Sequence, residues 1–187
     1  MSSKVAKLAA VYRQYIDVPW QKGLSGEQRT IFAVYDKADE LRLRANVEEF
    51  ALATQEASKR WQLLDVTNAF PEWMAAQEYR EAYFEDPEDL SGYQEGELKE
   101  FLAHLVSELK RRIEAAADEN TVVAILGVGC LFGLVKVSSV LAKIKDAVPG
   151  RLLVFFPGEH HPENHTYRLL DARDGWNYLA VPLLAQD

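Results

Sequence analysis

Apolar side chains recur along this chain in two rhythms: a helical spacing of three to four residues, and short unbroken runs. Val5, Leu8, Ala9, Tyr12 and Ile16 hold the helical spacing, which predicts an N-terminal helix over 3–16. The turn-rich link 19–26 leads to Ile31-Phe32-Ala33-Val34-Tyr35, a β-rich run that stops at Asp36. Over 38–58, Leu43, Val47, Phe50 and Ala57 share one face with charges opposite, predicting one amphipathic helix. Trp61 to Val66 is a second apolar run, with Asp65 near its end. Phe70, Trp73, Met74, Tyr79, Tyr83 and Phe84 predict one or two short helices in 67–90, with Pro71 in a first turn where its missing N–H does no harm. Leu98, Phe101, Leu102, Leu105, Leu109 and Ile113 predict a long helix over 97–117. Thr121 to Val128 is the third buried run and Arg151 to Phe156 the fourth. Between them, 131–148 is predicted helical and Pro149-Gly150 ends it. Tyr167–Leu170 and Tyr178–Leu183 read as a closing antiparallel pair around Asp171-Ala172-Arg173-Asp174-Gly175.

Strands that are apolar at every position must be buried on both faces, and alternating helices supply the cover. The predicted fold is therefore α/β: a single domain with a mostly parallel central sheet, helices on both faces and a C-terminal antiparallel hairpin at the edge. Residues 1–29 are the N-terminal helix and link, and 30–187 the core. No internal repeat, low-complexity segment or interdomain linker interrupts the 187 residues.

Composition acts mainly by exclusion. With 48% hydrophobic and 11% aromatic residues, a chain of this length can bury about 70% of its unfolded surface without metal or disulfide staples. A net charge of −8 and a pI near 5.1 argue against nucleic acid as a partner, because phosphate binding needs clustered Lys and Arg. Lys110-Arg111-Arg112 and Lys136, Lys143 and Lys145 interleave with apolar helical positions and read as solvated faces. The single cysteine, Cys130, suits a reducing cytoplasm. Lys4, Lys7 and Arg13 interrupt any signal-peptide core, and the apolar run 121–135 falls short of the ~20 residues of a membrane span. The expectation is a soluble, cytoplasmic chain without membrane contact.

Ligands of open parallel sheets collect beyond the carboxyl ends of the strands. Those ends carry Asp36, Asp65, the segment 127–133 and Pro157-Gly158-Glu159. Asp36 and Asp65 can pair to hold Mg²⁺, or each can cap the turn that follows it, which is the preferred reading. Gly127-Val128-Gly129-Cys130-Leu131-Phe132-Gly133 follows a strand and opens a helix, the setting of a phosphate-binding turn. It lacks the Walker Lys-Ser/Thr and misses dinucleotide-fold spacing by one residue, so its glycines are expected to serve packing. Cys130 is expected to be structural, among buried Leu131, Phe132, Leu134 and Val135, because Lys136 stands where a phosphatase loop needs Arg.

In His160-His161-Pro162-Glu163-Asn164-His165, the side chains of His161, Glu163 and His165 can share one side of an extended segment and are zinc-ligand types. The pattern is no helical HExxH, and a polar surface loop is the expectation. His104 lies off the apolar stripe of its helix. No Gly-x-Ser-x-Gly elbow occurs, and Ser138-Ser139 fall inside a predicted helix. No catalytic, cofactor or metal residue is assigned.

Several stretches are more particular than a generic α/β chain: Val34-Tyr35-Asp36, Trp73-Met74-Ala75-Ala76-Gln77-Glu78-Tyr79-Arg80, Asp118-Glu119-Asn120-Thr121-Val122-Val123-Ala124, and Arg151-Leu152-Leu153-Val154-Phe155-Phe156-Pro157-Gly158-Glu159. The most specific is Tyr167-Arg168-Leu169-Leu170-Asp171-Ala172-Arg173-Asp174-Gly175-Trp176-Asn177-Tyr178. Together they resemble the BrxB family of the bacteriophage-exclusion (BREX) defence systems of bacteria, from about Ile31 to the C-terminus.

The resemblance implies a cytosolic role in blocking phage, beside a DNA methyltransferase, a large ATPase and the phosphatase-like PglZ. It brings no catalytic residues with it. The resulting expectation is a non-catalytic component that docks PglZ, and possibly other BREX proteins, with a homodimer left open. Asp171, Arg173, Asp174, Trp176 and Asn177 are the candidate partner-binding residues, since Arg and aromatic side chains anchor interfaces. A tight turn at Asp174-Gly175 with Trp176 in the core explains the same block equally well. The alternative function is a nucleotide- or metal-dependent enzyme with its site at the strand ends.

Overall fold

Alternate residues of a strand point to opposite faces, and here both sets find cover. In the computed structural model, which describes residues 3–88, 97–170, 176–177 and 179–185, the order opens with α1 (Lys4–Asp17), β1 (Thr30–Tyr35), α2 (Glu40–Ala45), α3 (Val47–Glu56) and β2 (Arg60–Asp65). It continues with α4 (Ala69–Ala75), α5 (Arg80–Glu85), α6 (Glu97–Ala116), β3 (Thr121–Leu126), α7 (Val137–Ile144) and β4 (Arg151–His161). The chain closes with β5 (Thr166–Leu169), β6 (Trp176–Asn177) and β7 (Val181–Leu184).

The sheet runs β2-β3-β4-β1-β7, every neighbour parallel. One face presents Ile31, Ala33, Val122, Ala124, Leu153 and Phe155 to Tyr12 of α1 and Phe50 of α3. The other presents Phe32, Val34, Val123, Ile125, Val154 and Phe156 to Phe101 and Leu105 of α6 and Leu141 of α7. The expected α/β fold with a mostly parallel sheet and helices on both faces is what forms. Among the described residues, no helix is long and apolar enough to cross a membrane.

The N-terminal helix is capped by Ser3, whose hydroxyl accepts from Ala6 N at 3.1 Å. Its buried Tyr12 shares a 2.6 Å hydrogen bond with Thr54 Oγ1, and Thr54 in turn donates to Phe50 O. Burial raises the Tyr12 phenol pKa far above its ordinary value.

Three elements differ from expectation. The single helix over 38–58 is a 3-10 turn at Lys37–Asp39 followed by α2 and α3, broken at Asn46. Asn46 Nδ2 donates to the Arg42 carbonyl at 2.7 Å, the local competition with the helical ladder that asparagine provides. The helix expected from 131 starts only at Val137: Val128–Leu131 is a 3-10 turn, and Gly133 at φ +79° is left-handed, which a helix cannot pass through.

The closing antiparallel hairpin exists, but its arms are β5 and the two-residue β6, with Tyr167 opposite Trp176. β5 in turn pairs with the far end of β4, Gly158 opposite Leu169. The rest of the expected second arm, Val181–Leu184, runs parallel to β1 instead. The buried backbone of β1 would otherwise leave one edge unpaired, and Pro182 is tolerated in a strand at the sheet's edge.

Asp118 closes the turn from α6 into β3. It accepts from Thr121 Oγ1 at 2.7 Å, Asn120 N at 3.0 Å and Arg60 Nη1 at 2.7 Å. The Thr121 and Arg60 bonds pull its pKa from 3.8 down to about 2. A depressed carboxyl adds stability above its unfolded pKa and loses that contribution as pH falls through its folded pKa. The turn is therefore expected to hold until the acid window between about 4 and about 2. An NMR titration of the Asp118 carboxyl should show a midpoint near 2, moving upward in Arg60→Gln. A midpoint at 3.8 would contradict these contacts.

Candidate functional site

The chain leaves β1 towards one face of the sheet and β4 towards the other: Leu43 and Phe50 join the α1 side, Tyr167 and Leu169 the α6 side. Adjacent strands whose exits diverge open a crevice at their carboxyl ends. Such a hollow, about 450 Å³, lies here between Tyr35-Asp36-Lys37 and Gly158-Glu159-His160, with Lys4 and Lys7 of α1 on its rim. It is the candidate site by position.

Asp36 and Asp65 do not meet in it. Strands β3 and β4 stand between β1 and β2, so the two acids sit at ends three strand spacings apart, roughly 14 Å. Each serves its own turn, as the preferred reading expected. Asp36 accepts from Ala38 N at 2.9 Å. Asp65 accepts from Thr67 N at 2.9 Å and from the Thr67 hydroxyl.

Arg44 ties these strand ends together. Its Nε donates to Glu40 Oε1 at 2.7 Å, its Nη2 to Thr67 Oγ1 at 2.7 Å and its Nη1 to Asp65 Oδ2 at 3.4 Å. Tyr35 closes the network by donating its hydroxyl to Glu40. Burial opposes the Arg44 charge, but Glu40 and Asp65 outweigh it and its pKa rises. Burial and the neighbouring Glu40 carboxylate raise that of Tyr35. The sequence reading passed over this network. Its only local signal was the Glu40/Arg44 spacing of four, which puts opposite charges on one helix face.

The glycine-rich turn packs against the same network. Gly127 is left-handed at φ +88°, and a Cβ there would come within 2.9 Å of Thr67 N and 3.0 Å of Asp65 Oδ1. The glycine serves close packing, as expected, but of the turn after β2 and not of a helix start against the sheet. The expectation for Cys130 fails: it is exposed, and so is Phe132, at 48%. Cys130 lies in the 3-10 turn and Phe132 in the loop that precede α7, instead of at the start of a helix packed on the core.

The histidine segment is not extended throughout. His160 and His161 end β4, and residues 162–165 turn, with His165 left-handed at φ +54°. His161 lies 3.6 Å from Glu159 through Nε2 and 3.6 Å from Glu163 through Nδ1. The His160 ring packs on Tyr167 with centroids 4.7 Å apart, and burial, then the neighbouring His165 and His161, lowers its pKa. Among the described residues, no three His, Cys, Asp or Glu side chains gather as metal ligands. His104 is exposed on α6.

Of the candidate partner residues, Asp171, Arg173 and Asp174 lie outside the described residues. Trp176 and Asn177 form β6, which fixes their backbone against Tyr167 and Thr166. Leu179, two residues on, is 75% exposed.

The model of a protein family described as "BREX protein BrxB" matches residues 64–183, more than half of the chain. The matched segment runs from the end of β2 into β7 and begins later than the Ile31 expected from the resemblance, leaving α1 to α3 and β1 outside it. No curated protein and no solved structure matches the chain.

Proposed function

Because the chain belongs to the BrxB family, and so is a component of a BREX phage-defence system, we propose that it works by docking a protein partner, the phosphatase-like PglZ, without bond-breaking chemistry of its own. The observation that carries this reading is the use made of the strand ends. Asp36, Asp65 and Gly127, the groups best placed for catalysis, are taken up by turn capping, by the Arg44 network and by close packing. A substrate or metal at these carboxylates would have to displace hydrogen bonds that already hold the protein's own turns.

The docking surface in this proposal is the 171–177 block between β5 and β7, extended by exposed Leu179. Buried aromatic and Arg anchors carry most of the affinity in such interfaces. Tagged chain and PglZ are expected to co-elute on gel filtration at micromolar concentration. Trp176→Ala and Arg173→Ala should each weaken the complex by about thirtyfold, the effect of losing one hot-spot side chain. Including Arg173 keeps the test informative if Trp176→Ala perturbs the fold. Separate elution of the two wild-type proteins would overturn the proposal.

A further inference from the structure

At the opposite end of the sheet, where the parallel strands begin, lies a second hollow of about 570 Å³. Trp20 and Lys22 from the link after α1, Arg29 before β1, Lys59 before β2 and Arg151 at the start of β4 all line it. Four of these five are cations and Glu119 is the one acid on the lining, in a chain whose net charge is −8. The charge here runs against that of the molecule.

Among the described residues, Arg29, Lys59 and Arg151 form no salt bridge. Arg151 is only 6% exposed, yet its guanidinium donates its hydrogen bonds to carbonyls: Gln21 O at 3.1 Å and Gly150 O at 3.4 Å. Arg29 Nη1 likewise donates to Val148 O at 2.6 Å and Pro149 O at 2.9 Å. Lys59 Nζ donates to the Asn120 side-chain oxygen at 2.9 Å. Lys59 and Arg151 both lie over the Trp20 ring, 4.6 and 4.7 Å from its centroid. A buried charge is normally paired, because taking it out of water is otherwise unfavourable. Burial lowers the Arg151 pKa; Tyr15 opposes the shift and the like charge of Arg29 adds to it.

Two hydrogen-bond donors in the same wall, Trp20 Nε1 and Arg29 Nε, are buried without an acceptor. Native structures seldom leave such groups unmatched. The surplus positive charge on the lining calls for a complement, an oxygen-rich anion. The hollow is larger than a bare ion needs and falls within the usual size range of small-molecule sites.

We propose that this hollow binds a multiply charged oxyanion, a phosphate or polycarboxylate group carried on a small molecule, held by Arg29, Lys59 and Arg151. Trp20 positions the last two through its ring.

The test uses the full chain alone, so its outcome is independent of any protein partner. Calorimetric titration and thermal unfolding would be run with pyrophosphate and with citrate at constant ionic strength. At least one probe is expected to bind one per chain and to raise the melting temperature. Lys59→Gln and Arg29→Gln should each weaken that binding about tenfold, the usual loss for a hydrogen bond to a charged group. Binding of pyrophosphate alone identifies a phosphate ligand, and of citrate alone a carboxylate. Lys59 is only half-buried, so Lys59→Gln keeps the test decisive if Arg29→Gln fails to fold. No binding of either probe at millimolar concentration overturns the proposal. So does an equal stabilisation of wild type and variants, which is the general effect of excluded salts.

Discussion

Tyr167→Ala is expected to lower the folding free energy by about 3–5 kcal/mol, the cost of truncating a fully buried aromatic side chain. Tyr167 is 1% exposed on β5, and its ring packs edge-on against Phe32 with centroids 4.6 Å apart. Phe32 in turn stacks on Phe156 at 5.0 Å, so three strands meet at this cluster. The Tyr167 hydroxyl donates to Ala180 O at 2.7 Å, which fixes the chain just before it enters β7. Truncation therefore removes both the filling of the α6-side core and the tether that leads β7 to the edge of β1. Tyr167→Phe keeps the ring and leaves the Ala180 carbonyl without its donor, and should cost about 1–2 kcal/mol. Urea denaturation measures both. The expected signature is a lower midpoint at unchanged slope. A loss below about 1 kcal/mol in Tyr167→Ala would show that the hairpin does not anchor on this cluster.

Gly127→Ala should rank beside it, with a cost of about 2–5 kcal/mol built from two sources. A left-handed backbone costs a non-glycine residue about 1–2 kcal/mol, and forcing atoms into a filled space adds about 1–3 kcal/mol. Both conditions hold here, since the new methyl would press on Thr67 N and on the Asp65 carboxylate that Arg44 holds. Gly133 separates the two terms. Its φ is +79°, but nothing lies within 4 Å of a Cβ there. Gly133→Ala should therefore show the backbone cost alone, about 1–2 kcal/mol. Equal losses at the two positions would mean that the turn after β3 is free to move away from the turn after β2.

The same pair of glycines marks where sequence reading works. That a glycine-bearing turn follows β3 was visible in the residues. That Gly127 leans on Thr67, and that Gly133 stops a helix from forming, follows from contacts and dihedral angles. Asn46 interrupts an apolar helical pattern in the same way, through one side-chain bond that periodicity cannot register. The candidate site was legible as a list of strand-end residues, but the list could not say which of them meet.

Apolar periodicity along the chain determined the four buried strand runs, the alternation of helices with them and the burial of both sheet faces. These follow from local geometry, because a strand apolar at every position has no face it can turn to water. The composition also fixed the acidic balance. Only the tertiary structure decided the strand order, and with it three outcomes. Asp36 and Asp65 stand apart, and Val181–Leu184 pairs with β1. Arg29 and Arg151, far apart in the chain, come to line one hollow with Trp20. Each depends on which strand lies beside which, and that choice is made by the packing of the whole core.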